Sequence, residues 1–83
     1  MTLDWADLVG LTGSTLVVTA FAYSNMANRI NFVLFNAMNL LGAIFLAVSL
    51  TVHFNLSSMA LEAVWGAVAL FGLGKALWKK DKI

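Results

Sequence analysis

Cysteine is absent from the 83-residue chain and charge is scarce. The first absence removes a disulfide framework and a thiolate metal site. The second is more restrictive. Five lysines and arginines and four acidic residues, with 61% hydrophobic residues, leave too little polar surface to cover a water-soluble globule of this size. Mean hydropathy is +0.89. Also missing are a glycine-rich phosphate loop, a paired-histidine zinc motif and a nucleophile elbow. No cofactor or metal is therefore expected. With a single histidine and no catalytic constellation, neither is an enzyme.

What is there is a set of long apolar runs, and their distribution points to a bilayer as solvent. A spanning helix needs about 20 mainly apolar residues to cross roughly 30 Å of hydrocarbon. Leu8 to Asn28 carries no charge, and from Ile30 to Leu61 the one titratable side chain is His53. The second run is too long for one ordinary span. Polar residues interrupt it at "HFNLSS", His53 to Ser58, where Ser57 or Ser58 can cap a new helix. The reading is an all-α bundle of three transmembrane helices in one domain, with spans over about 7–26, 31–52 and 58–78. A membrane barrel would need more strands of alternating polarity than this chain comfortably supplies, and an open sheet would leave unpaired backbone in lipid. The N-terminal stretch carries Asp4 and Asp7 in place of the basic start of a cleaved signal, so the first segment is expected to remain as a mature span.

The cations set the orientation. Arg29 falls between spans one and two, and Lys75, Lys79, Lys80 and Lys82 fall at the end of span three. Three spans put all five on one side, which the positive-inside rule makes cytoplasmic. The expected protein is multi-pass in the inner (plasma) membrane, N-terminus out and C-terminus in, with His53 in an outer, solvated loop. The lysine tail reads as an interfacial anchor on anionic lipid, not as a nucleic-acid site.

Helical spacing sorts the few polar and small residues. In span one, Gly10, Gly13, Ser14 and Val17 form a small-residue face suited to close helix packing, and Thr12, Thr15, Thr19 and Tyr23 form the opposite stripe. The threonine hydroxyls can also bond back to carbonyls of their own helix. In span two, Asn36 and Asn39 open an otherwise apolar run and must find partners or a wet cavity. Asn36 is expected to tie helices together, and Asn39 to face a cavity. In span three, Glu62 and Trp65 lie one turn apart with Gly66 on the same side. Glu62 sits roughly 6–8 Å along the helix from Ser57, at 1.5 Å per residue. That depth suits either a carboxylate turned into the bundle or one hydrated near the outer surface. Depth counts set Thr12 level with Glu62, Thr15 with Trp65, Thr19 with Asn39 and Tyr23 with Asn36.

The motifs "NLLGA" at Asn39 to Ala43 and "LEAVW" at Leu61 to Trp65, on a three-span chain of this length, resemble a group of small, uncharacterised bacterial integral membrane proteins. A weaker similarity is to the half-size SWEET-type sugar transporters, the SemiSWEETs, whose three-helix protomers dimerise around a central site. That resemblance sets Glu62 where those proteins often have a site asparagine, and Leu46 where their second-helix tryptophan would be. The proline–glutamine hinge of the larger family is missing: the corresponding stretch is "TAFAYS", Thr19 to Ser24, and the chain has no proline.

Two functions follow as expectations. The first is a homo-oligomeric half-transporter, a dimer in the bilayer, moving a small polar solute through a site between protomers built from Thr15, Thr19, Asn39, Glu62 and Trp65. In it, Gly10, Gly13, Ser14, Asn36 and Gly66 serve helix packing. The second is a structural or regulatory subunit of a larger membrane complex.

Overall fold

The computed structural model describes residues 2–81, with the side chains of Lys80 and Asp81 left aside. Three α-helices follow one another, and the described residues contain no strand: α1, Trp5–Met26; α2, Phe32–Val52; α3, Leu56–Asp81. Each is long and apolar enough to cross a membrane, α3 over Leu56–Lys79. The helices start and stop for local reasons. Asp4 caps α1 in a reciprocal capping box: its carboxylate accepts from the Asp7 N–H at 2.9 Å, and the Asp7 carboxylate accepts from the Asp4 N–H at 3.1 Å. Asn31 caps α2 by accepting from the Leu34 N–H. Its own N–H donates to the Tyr23 hydroxyl at 2.7 Å, which fixes the short turn between α1 and α2.

The start of α3 differs from expectation. The capping side chain is Asn55, whose amide oxygen accepts from the Ser58 N–H at 3.0 Å, so the helix begins ahead of both serines. Asparagine is among the strongest capping residues, and using it shortens the loop after α2 to three residues, 53–55.

α2 is the middle element. It packs against α1 on one side and α3 on the other, and α1 and α3 make no contact among the described residues. Apolar helices in lipid gain little from burying more apolar surface, so close packing of small residues decides the seams. On α1 the buried residues are Ala6, Gly13 and Ala20, seven apart, the repeat that keeps one stripe facing a neighbouring helix. They meet α2 around Gly42. A Cβ at Gly13 would stand 2.7 Å from the Gly42 carbonyl oxygen, and one at Gly42 would stand 2.8 Å from the Gly13 carbonyl oxygen. The next residue, Ala43, turns to the other seam, with its Cβ 3.6 Å from the Cβ position of Gly66 on α3. The "GA" of "NLLGA" thus serves both interfaces, one residue each.

Candidate functional site

α2 and α3 meet through Asn39 and Trp65. Asn39 is 5% exposed, the one buried polar side chain among the described residues. Its amide N–H donates to the Phe35 carbonyl one turn back at 3.0 Å, and its amide oxygen accepts from the Trp65 indole N–H at 3.3 Å. Both ends of the amide are satisfied, which resolves the cost of placing it in an apolar helix. The Trp65 ring remains partly exposed and, with Phe35, Asn36, Asn39, Val68 and Ala69, lines a shallow groove of about 120 Å³ beside that bond.

The two asparagines each meet both a groove and the neighbouring helix. Asn39, expected to face a cavity, lines the shallow groove and also makes the interhelical bond, because Trp65 brings an indole N–H that needs an acceptor. Asn36 donates to the Phe32 carbonyl of its own helix at 2.8 Å and lies over Gly72 of α3, where a glycine leaves room for it. It also lines the larger groove toward the lysine-bearing end, about 490 Å³, with Asn31, Phe32, Val33, Gly72, Lys75, Ala76 and Lys79.

Glu62, one turn before Trp65, is half-buried, and its Oε1 is buried with no hydrogen-bond partner among the described residues. Among the described residues α3 packs on α2 alone, so α1 offers this oxygen no donor. The threonines lie elsewhere. Thr12 and Thr15 are exposed, and their hydroxyls donate to the Leu8 and Leu11 carbonyls at 2.8 Å; Thr19 is exposed too. Within one chain the structure brings Asn39 and Trp65 together and leaves Thr15 and Thr19 on outer faces of α1. Of the expected packing residues, Gly10 lies on Ser49, Gly13 on Gly42 and Gly66 on Ala43. Ser14 is exposed, because it stands about 100° around the helix from Gly13 and past the edge of the seam.

One cluster escaped the reading of the residues alone. His53, expected as a solvated loop residue, is the C-cap of α2 and reaches across to the cap of α1. Its Nε2 lies 3.0 Å from Asp4 Oδ2 and 3.5 Å from Asp7 Oδ1. The backbone N–H of Asp7 is the main influence holding Asp4 below the usual carboxylate range, and the His53 hydrogen bond adds to it. The hydrogen bond to Asp4 is what raises His53 above its ordinary value. Two adjacent antiparallel spans must bring the start of the first beside the end of the second, and that was the available signal. Asp4, Asp7 and His53 each offer a donor atom within 4.8 Å of the others. The capping box and the imidazole contact already account for that convergence.

No curated protein and no solved structure matches the chain, so the similarity to SemiSWEETs gains no support from either. A protein-family model does match, over residues 6–80, and the chain belongs to that small, uncharacterised family of which the three-helix apolar bundle is the fold described above.

Proposed function

We propose that this small membrane protein is a homo-oligomeric half-transporter, a dimer in the inner membrane with N-terminus out and C-terminus in, that moves a small polar solute through a site between protomers. Glu62 carries the reading. A carboxylate on a spanning helix is costly and marks a task, and its buried Oε1 has no donor among the described residues of its own chain. A cation, a protonated solute or a proton would complete it. The Trp65 ring and the Asn39 amide, one turn deeper, add a stacking surface and a polar contact. Because α1 and α3 do not meet, a single chain encloses no path. Apposing the threonine flank of one α1 to the α2–α3 groove of a second copy sets Thr15 and Thr19 opposite Asn39, Glu62 and Trp65.

A second reading, a structural or regulatory subunit, is favoured by the hydrogen bonds of Thr12, Thr15, Asn36 and Asn39, all of which close within the chain. One experiment separates the two. Proteoliposomes holding a pH-sensitive dye are challenged with glucose, glycine and methylammonium. Wild-type protein is expected to give flux with at least one probe, and Glu62→Gln and Asn39→Leu to lose it at unchanged oligomeric size. Full flux in both variants, or no flux together with stoichiometric co-purification with a larger complex, refutes the carrier.

A further inference from the structure

The groove of about 490 Å³ at the lysine-bearing end is graded along its length. Along α3 the lining runs from Gly72, which packs on Asn36, through Lys75 and Ala76 to Lys79, and Phe32, Val33 and Ala76 supply its apolar part. Along α3, Lys75 is about 4.5 Å and Lys79 about 10.5 Å beyond Gly72, at 1.5 Å per residue. Asn31 and Phe32 begin α2 here, so the positive end of that helix dipole faces the same groove. No carboxylate among the described residues lines the groove.

The geometry points to a site for one anionic phospholipid, its phosphate held by Lys75 and Lys79 and an acyl chain laid on Phe32, Val33 and Ala76 toward Gly72. Charge complementarity selects an anion, since both ionisable lining groups are cationic. The apolar depth selects a lipid over a water-soluble anion, because a free phosphate has nothing to place against those walls. The volume lies within the range of ligand sites and suits a headgroup with the upper part of one chain. Both lysines are exposed, and a long aliphatic stem lets Lys75 carry its ammonium outward to the phosphate level while covering apolar surface. The site is separate from Glu62 and Trp65 and stands whether or not the protein carries a solute.

Native mass spectrometry of the full chain in detergent, titrated with phosphatidylglycerol and separately with phosphatidylcholine of the same acyl chains, tests this. One phosphatidylglycerol is expected to bind more tightly than phosphatidylcholine. Lys75→Gln and Lys79→Gln should each weaken it about fivefold and the pair about thirtyfold, as expected for lysines near a charged surface. Ala76→Trp, which fills the apolar floor and leaves both cations in place, should remove the bound lipid. Arg29→Gln, at an exposed cation outside the groove lining, should change binding less than about twofold, since exposed charges outside the site are screened by salt. Equal losses for Arg29→Gln and the groove lysines would mean diffuse attraction by the basic end and would overturn the site. Displacement of phosphatidylglycerol by millimolar glycerol 3-phosphate or inorganic phosphate, with both still bound by Ala76→Trp, would make it a soluble-anion site and overturn the lipid.

Discussion

Adding one methyl group at Gly13 tests the account of how α1 and α2 are held. The new carbon would stand 2.7 Å from the Gly42 carbonyl oxygen, 2.9 Å from the Phe45 Cβ and 3.1 Å from the Leu46 Cγ. A comfortable carbon–oxygen approach is about 3.3 Å or more. The helices must therefore separate by about 0.6 Å. A gap of that order forfeits about a quarter or more of each van der Waals contact along the seam. Overpacking of this kind costs about 1–3 kcal/mol, and replacing glycine by alanine in a helix returns up to about 1 kcal/mol. The expected net loss is about 1–2 kcal/mol. Gly74 supplies the control, since a Cβ there meets nothing within 4 Å, so Gly74→Ala should be neutral or slightly stabilising. The absence of cysteine allows a fluorophore pair on cysteines introduced at Thr2 and Phe54, exposed residues at the same end of the α1–α2 hairpin. Separation of the two helices is then followed by energy transfer during detergent denaturation in mixed micelles. If Gly13→Ala withstands denaturation as well as Gly74→Ala, the close glycine contact does not hold the hairpin and the reasoning fails.

Two further outcomes follow. A double-mutant cycle on Asn39→Ala and Trp65→Phe should show a coupling of about 0.5–1.5 kcal/mol, in the range of interhelical hydrogen bonds in membranes; a coupling indistinguishable from zero would leave that bond without a role. The His53–Asp4 contact should be strongest at mildly acid pH. His53 is raised from its ordinary 6.5, so its charged contribution is complete below 6.5 and fades as pH climbs through the higher folded value. Asp4 is lowered from 3.8, so its contribution is complete above 3.8 and fades as pH falls through the lower folded value. The window of full pairing thus runs between those two ordinary values. An NMR titration of His53 should move down toward 6.5 in Asp4→Asn, which removes the charge and keeps a competent cap; an unchanged midpoint would show that Asp4 does not act on the imidazole.

The spans were legible because charge is excluded from them so sharply: Leu8 to Asn28 and the run broken at His53 leave little choice of where helices cross. The order of packing was not. The small-residue face of α1 does not say which helix it meets, and the central position of α2 emerges from Gly42 and Ala43 serving opposite seams. Spacing placed Glu62 and Trp65 on one side of α3, but it could not say that Trp65 would find Asn39 while Glu62 Oε1 would find nothing. The matched depths of Thr15 with Trp65 and Thr19 with Asn39 did not become contacts. Depth fixes height along a helix, whereas contact also needs rotation and a neighbouring helix, and α3 is not the neighbour of α1. His53 illustrates the same limit at a chain end. Its partners were readable only once the first two spans were taken as an antiparallel pair.

Since among the described residues each helix touches only those next to it in the chain, the order of synthesis can also be the order of assembly. A ribosome that has delivered His53 has already supplied both halves of the glycine seam, the Tyr23 latch on the turn and the Asp4–His53 clasp. The last helix then joins a finished hairpin by lateral docking, without threading past an earlier segment. Partners that are neighbours in the chain assemble quickly. A nascent chain of this design has little opportunity to be caught half-built in the membrane.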